Sequence, residues 1–127
     1  PEPANPLVEA ALAAGDATRA APFDFTLDIA GSFANRSVPW WLGSRTHVPG
    51  LHALRRSLLQ ALQDACSPVR EDAAHVAHVT LLRDADRTLA ATAIDPIAWS
   101  VRDFALIAST SGAAARYDIL RTWPLAA

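Results

Sequence analysis

Strict alternation of apolar and polar side chains over Phe23–Ile29 is the feature that most constrains the fold of this 127-residue chain. A period of two residues is typical of a β-strand with one buried and one exposed face. Polar side chains occupy the predicted outer face at Asp24, Thr26 and Asp28. The apolar members are Phe23, Phe25, Leu27 and Ile29. The segment is therefore predicted to be a half-buried strand.

Four further segments are predicted to be strands: Val38–Leu42, residues 77–83, Phe104–Ala108 and Tyr117–Leu120. In the first of them, Pro39 indicates either an edge position or an irregularity, because proline has no backbone N–H to donate. Between Trp99–Val101 and Phe104–Leu106 the apolar phase slips by one residue. The slip predicts a bulge or a bend near Arg102.

Two segments are predicted to be helices. Residues 5–20 begin with Asn5, a favourable N-cap, and Pro6, which is best tolerated at the first helical position. Pro49–Ala65 carries an apolar stripe at Leu51, Leu54, Leu58 and Leu62. Because the order of elements lacks the regular βαβ rhythm of a parallel sheet, we expect an α+β fold with antiparallel sheets flanked by helices. We expect residues 1–127 to form a single domain.

Composition excludes several classes of protein. The net charge is −2 and all 11 basic residues are arginine, so the chain has no general electrostatic attraction for a polyanion. No apolar run approaches the roughly 18–20 residues of a membrane span. The single cysteine, Cys66, cannot form an internal disulfide and fits a reducing compartment. We therefore expect a cytoplasmic protein that does not contact membranes.

The candidate site is the His-x-Thr sequence formed by His78 and Thr80. On a strand, both side chains point to the same face, roughly 6–7 Å apart, while Val79 and Leu81 are expected to point into a core. The threonine hydroxyl can donate a hydrogen bond to a phosphoryl oxygen, and the imidazole can exchange a proton with an ester oxygen near neutral pH. A motif with only two fixed residues is weak evidence of catalysis by itself, because a single histidine on a strand more often has a structural role than a catalytic one.

The surrounding sequence strengthens this signal. His78–Arg83 resembles the second His-x-Thr motif of the 2H phosphoesterases, in their 2'-5' RNA ligase-like (LigT-like) branch. The resemblance extends from about residue 7 to the end of the chain. Further segments, on both sides of this motif, match other elements of the family in the same order along the chain. These segments are Gly31-Ser32-Phe33, the tryptophan-bearing strand Val38–Leu42, the leucine-rich helix Pro49–Ala65, the segment Pro96–Leu106, and the closing strand Arg116–Leu120 with Trp123-Pro124-Leu125. The resemblance implies a bilobal fold in which two antiparallel sheets face each other across a groove.

The sequence departs from the family pattern in two places. Ala77 stands where the family usually has proline before the histidine. In addition, a first His-x-Thr motif is missing, because His47, His52 and His75 are not followed by threonine two residues later. In the family this motif precedes the first helix, and the chain contains no methionine. We therefore expect the first motif in an N-terminal segment upstream of Pro1.

The resemblance implies an RNA 2',3'-cyclic phosphodiesterase that opens the cyclic phosphate to a 2'-phosphate, with a role in RNA processing. One histidine would activate water and the other would protonate the leaving 3' oxygen, without a metal or another cofactor. The expected partners are RNA ends or nucleotides with a 2',3'-cyclic phosphate, and the complete protein is expected to be a monomer. Reversal of the same chemistry accounts for the family name of RNA ligase.

The resemblance assigns His78 as one acid/base residue and Thr80 as a phosphate ligand. A single motif leaves open whether His78 is the acid or the base. Arg83, Trp40 and Tyr117 are candidates for substrate contact. Each also has a simpler explanation, as a solvated charge for the arginine and as packing for the two aromatic residues.

Two alternatives to an enzyme remain open. In the first, the domain binds a terminal phosphate or nucleotide at Thr80 without hydrolysing it. In the second, exposed sheet edges pair two copies and bring two His78 residues together. Zinc catalysis is disfavoured because the histidines and Cys66 lack ligand spacing, and a serine hydrolase because no Gly-x-Ser-x-Gly sequence is present.

Overall fold

The computed structural model describes residues 5–34, 36–67, 76–109 and 116–126. In these ranges the helices are α1 (Pro6–Ala17) and α2 (Pro49–Asp64). The strands are β1 (Phe23–Ser32), β2 (Trp40–Gly43), β3 (His78–Leu82), β4 (Thr92–Val101), β5 (Asp103–Ser109) and β6 (Tyr117–Pro124). The strands form a four-stranded sheet and a two-stranded sheet, so the predicted α+β class with antiparallel sheets is confirmed.

The chain divides into two compact units. The first, called the helical unit, comprises residues 5–23, 50–67, 101–109 and 116–126, with both helices and the β5–β6 pair. The second, called the sheet unit, comprises residues 24–34, 36–49 and 76–100, with the four-stranded sheet. Each unit is assembled from segments that are distant in the sequence.

Helix α1 begins as predicted. The Asn5 side chain accepts hydrogen bonds from the backbone N–H groups of Leu7 and Val8, at 3.0 and 3.4 Å, and Pro6 occupies the first turn. The helix ends at Ala17, earlier than predicted, because Thr18 is extended and its hydroxyl donates to the Ala14 carbonyl at 2.7 Å. A threonine that bonds its own helix backbone in this way competes with continuation of the helix.

Helix α1 packs on the β5–β6 pair through one tryptophan. A Cβ atom built at Gly15 would meet the Trp123 ring at 2.2 Å, so only glycine allows this approach. The Trp123 indole N–H donates to Asp16 at 2.8 Å, and its ring stacks on Phe104 with centroids 5.3 Å apart. The helical unit is therefore held together by an aromatic pair seated against a helical glycine.

Helix α2 ends in a Schellman motif. The N–H of Ser67 donates to the Leu62 carbonyl and the N–H of Cys66 donates to the Gln63 carbonyl, both at 3.0 Å. Cys66 has a φ of 57°, the left-handed conformation that glycine usually provides at this position. The cysteine thus ends the helix at a cost in backbone strain, with an exposed thiol.

The four-stranded sheet has the order β3-β2-β1-β4. Strand β2 is antiparallel to both neighbours and lies inside the sheet, so the edge position considered for Pro39 is wrong. The alternative, an irregularity, is confirmed: Pro39 immediately precedes β2, and the β2–β3 register shifts between Trp40 and Trp41. Proline is accommodated because its carbonyl accepts from the Phe33 N–H at 3.2 Å, and no N–H is required of it.

The apolar slip near Arg102 marks the end of a strand. Strand β4 ends at Val101 and belongs to the four-stranded sheet, whereas β5 begins at Asp103 and pairs with β6. The Arg102 carbonyl accepts a hydrogen bond from Leu125 at 2.8 Å. At Arg102 the chain thus passes from one sheet to the other. The alternation of apolar residues before Arg102 belongs to β4, and the alternation after it belongs to β5.

No helix within the described ranges combines the length and the apolar character needed to cross a lipid bilayer.

Replacement of Cys66 by glycine is expected to raise the free energy of unfolding by about 0.5–1 kcal/mol, because relief of the left-handed strain exceeds the added entropy of the unfolded chain. Cys66→Ala is the matched control, since it removes the thiol but keeps the Cβ atom that opposes a positive φ. Urea unfolding of the three proteins measures the effect. Equal gains from both substitutions would attribute the change to the thiol and contradict the backbone explanation.

Candidate active site

Strand β3 carries His78 and Thr80 on one face of the four-stranded sheet. Both side chains are exposed, whereas Val79 between them is half-buried. The antiparallel register places Gly43 opposite His78 and Trp41 opposite Thr80. Since directly opposed residues project from the same face, Trp41 lies beside the two polar side chains.

The expectation that Leu81 points into a core is wrong. Its side chain is 56% exposed. Trp41 pairs with Thr80 but Trp40 pairs with Leu82, so Leu81 is the additional residue of the register shift. A bulge of this kind re-aims the side chain and interrupts the alternation.

The His78 ring is oriented by a backbone carbonyl. Its Nδ1 atom lies 2.7 Å from the Val76 oxygen. A carbonyl oxygen only accepts hydrogen bonds, so Nδ1 must be the protonated nitrogen when the ring is neutral. The lone pair then resides on Nε2, which can take a proton from water; in the imidazolium form, Nε2–H can donate to a leaving oxygen. The same contact therefore prepares His78 for either role.

An aromatic ring also contacts His78 on a second side. The Phe33 ring is perpendicular to the imidazole, with centroids 5.0 Å apart and an interplanar angle of 88°. Phe33 in turn packs on Trp41, with centroids 5.4 Å apart. The three rings form a continuous row on this face of the sheet.

Two glycines make room for the Trp41 ring. A Cβ atom built at Gly31 would lie 2.8 Å from Cζ2 of Trp41, and one at Gly43 would lie 3.1 Å from Cζ3. Gly31 pairs with Trp41 across β1 and β2. The indole Nε1 is buried without a hydrogen-bond partner among the described residues. Because an unpaired buried donor costs about 1–3 kcal/mol, packing and not hydrogen bonding determines where this side chain lies.

The remaining candidate residues have different surroundings. Trp40 donates its indole N–H to the Arg87 carbonyl at 2.8 Å, and strand alternation places it on the face opposite Trp41. Arg83 is exposed and follows β3 directly, three residues after Thr80. Tyr117 is 61% exposed and begins β6 in the helical unit. The structure thus groups Trp41 with His78 and Thr80, and it places Trp40 on the opposite face of the same sheet.

Two of the other histidines lie within the described residues. His47 is exposed before α2, and His52 is exposed on α2. His75 lies outside the described residues. In the described ranges, no three His, Cys, Asp or Glu side chains come close enough together to hold a metal ion.

Sequence reasoning missed the part played by Phe33, Gly31 and Gly43. The Gly-x-Phe element was recognisable at positions 31–33, but only as a family signature. Nothing in the linear sequence places Phe33 against a histidine that follows 45 positions later. The strand register alone makes that contact.

The sequence profile of the 2'-5' RNA ligase superfamily matches residues 2–113 of the chain. A comparison with curated proteins returned no significant match. The match to the superfamily therefore covers the candidate site and most of both units.

Solved structures resemble the chain over nearly its whole length. The crystal structure of E. coli LigT complexed with 3'-AMP is 32% identical, with a TM-score of 0.72 over 98% of this chain and 71% of that chain. A crystal structure described as a phosphoesterase is 30% identical, with a TM-score of 0.74 over 100% of this chain and 72% of that chain. The protein TT0787 of Thermus thermophilus is 25% identical, with a TM-score of 0.67 over 98% of this chain and 73% of that chain. Together with the site on β3, these similarities establish that the chain belongs to the 2'-5' RNA ligase superfamily and has the LigT-like fold of the 2H phosphoesterases.

Proposed function

We propose that the protein is an RNA 2',3'-cyclic phosphodiesterase that opens the cyclic phosphate to a 2'-phosphate. The observation that carries the proposal is the arrangement of His78 and Thr80, both exposed on one face of β3, with His78 Nδ1 engaged by the Val76 carbonyl. The other ring nitrogen, Nε2, can exchange a proton with substrate, and the hydroxyl of Thr80 on the same face can contact a phosphoryl oxygen. Nucleotide binding in the family supports this: LigT was crystallised with 3'-AMP, ATP and NADP⁺.

The reaction requires two proton transfers. A water oxygen forms a bond to phosphorus while the bond from phosphorus to the 3' oxygen breaks. One group accepts the proton of the water, and another supplies a proton to the 3' oxygen. His78 performs one of these transfers through Nε2, and the other belongs to the histidine of a second His-x-Thr motif. The present sequence contains one such motif, at His78–Thr80.

Thr80 stabilises the charge that develops on the phosphoryl oxygens. A hydroxyl donor placed before the reaction costs no reorganisation during it, which is the main advantage of such donors. Arg83 lies three residues further along, where its guanidinium is suited to a second phosphate contact. No residue in this scheme requires a metal ion.

The second candidate is a binding module that holds nucleotides or RNA terminal phosphates without turnover. One histidine cannot perform both proton transfers at once, so a complete reading frame with His78-Val79-Thr80 as its single His-x-Thr motif would favour this candidate. Titration of adenosine 2',3'-cyclic phosphate and 2'-AMP into the protein, followed by NMR and compared with turnover measurements, separates the two candidates. Shifts of the His78 ring signals without product formation would favour the binding module.

Replacement of His78 by alanine is expected to lower kcat/KM for adenosine 2',3'-cyclic phosphate by roughly 10²–10⁴-fold, the usual contribution of a general acid or base. His52→Ala is the matched control, since His52 is an exposed histidine on α2 in the helical unit. Chromatography against 2'-AMP and 3'-AMP standards identifies the product. The assay is run with this chain and with the full product of its gene. Turnover retained in the His78 variant would end the assignment.

Thr80 offers a sharper test of phosphate contact. Thr80→Val keeps the shape and the β-strand preference but removes the hydroxyl, and it is expected to lower kcat roughly tenfold to a hundredfold, as for a lost hydrogen bond to a charged group. Thr80→Ser keeps the hydroxyl and is expected to retain most of the activity. Activity that is retained in Thr80→Val but lost in Thr80→Ser would show that the methyl packing of Thr80 and not its hydroxyl is responsible.

A further inference from the structure

The His78 imidazole has two freedoms that a proton-transferring group must control. The side chain can change rotamer, and the neutral ring can move its proton between Nδ1 and Nε2. The Val76 carbonyl at 2.7 Å favours one tautomer, but a single hydrogen bond leaves the ring free to tilt about it. A second contact from another direction is needed to define the plane of the ring.

Phe33 provides that second contact. Its ring stands at 88° to the imidazole with centroids 5.0 Å apart, a geometry that the charge distribution of aromatic rings favours. A tilt of the imidazole would break this contact and bend the hydrogen bond to Val76 at the same time. Phe33 and Val76 thus restrain the His78 ring jointly.

Phe33 is itself held in place. Its backbone N–H donates to the Pro39 carbonyl at 3.2 Å, which ties the end of β1 to the segment before β2. Its ring packs on Trp41, and the Trp41 ring occupies the space left by Gly31 and Gly43. The Trp41 indole N–H is buried without a partner in the described residues, so steric packing alone maintains this position.

We propose that Phe33 is a positioning residue for His78. Supported by Trp41 above the two glycines, its ring holds the imidazole in the Nδ1-protonated tautomer with Nε2 presented for proton transfer. The kinetic part of this inference rests on the proposed function, whereas the structural part concerns the imidazole alone and is measurable without turnover.

The tautomer is measured first, by long-range ¹H–¹⁵N correlation of the histidine rings at a pH of about 8, where an ordinary imidazole is neutral. In the unmodified chain, the His78 signals are expected to show a proton on Nδ1. In Phe33→Leu, the signals are expected to move towards averaged tautomers and to lose the ring-current shift from the phenylalanine. His78 signals that are unchanged in Phe33→Leu would overturn the proposal.

Phe104→Leu is the matched control. Phe104 is also half-buried and also packs on one tryptophan, at 5.3 Å in the helical unit, compared with 5.4 Å for Phe33. The two substitutions remove the same atoms from similar surroundings, so a general loss of stability affects both proteins. A His78 change of equal size in Phe104→Leu would also overturn the proposal.

Two further variants protect the test against a Phe33→Leu protein that fails to fold. Phe33→Tyr keeps the ring and is expected to preserve the His78 signals. Gly31→Ala leaves Phe33 intact but places a Cβ atom against the Trp41 ring, and it is expected to perturb His78 through the row of rings. If the His78 signals are unchanged in Gly31→Ala, the proposed support of Phe33 by Trp41 is wrong.

Turnover provides the second measurement. Phe33→Leu is expected to lower kcat about tenfold to a hundredfold while KM stays within about threefold, because misplacement of a catalytic group affects the reacting state more than binding. Phe33→Tyr is expected to restore most of the rate. If the full product of the gene has no activity, the proposed function fails, while the tautomer measurement still decides the role of Phe33. If it is active and Phe33→Leu behaves like Phe104→Leu, the positioning role fails alone.

Discussion

The antiparallel pairing of β2 with β3 is the interaction on which the candidate site depends. The pairing places Trp41 opposite Thr80 and Gly43 opposite His78. A shift of one residue would turn His78 and Thr80 to the other face of the sheet, away from the tryptophan. The irregularity at Leu81 lies immediately beyond Thr80 and therefore leaves the register of the motif itself intact.

The site combines an exposed reactive group with a rigid support. Proton transfer requires an exposed imidazole, and an exposed side chain is ordinarily free to rotate. Here the Val76 carbonyl contacts Nδ1 of His78 and the Phe33 ring contacts the imidazole from a second direction. The support behind Phe33 is the Trp41 ring, whose buried indole N–H has no partner among the described residues. An unpaired buried donor costs about 1–3 kcal/mol, so among the described residues the packing of the Trp41 ring offsets a real penalty.

Helix boundaries and strand positions followed from local chemistry to a large extent. Asn5 and Pro6 start α1 as their capping preferences predict, and the alternation that begins at Phe23 does form a strand with Phe25 and Leu27 buried. The errors had one local source and one tertiary source. Thr18 ended α1 early through its bond to Ala14, and Pro39 lies next to an interior strand because only its carbonyl is used. The slip near Arg102 was visible in the sequence, but its cause was a change of sheet.

By itself, the sequence determined the α+β class, the candidate pair His78–Thr80 and the resemblance to the 2'-5' RNA ligase superfamily, because alternation, capping and short motifs are local properties. Only the tertiary structure decided which nitrogen of His78 lies against a carbonyl oxygen, which tryptophan lies beside the motif, and that Phe33 contacts the imidazole ring. These features depend on strand register and on the space above Gly31 and Gly43. Such space exists only once β1 and β2 have paired, and His78 lies beside it only when β3, which follows helix α2 in the chain, joins the same sheet.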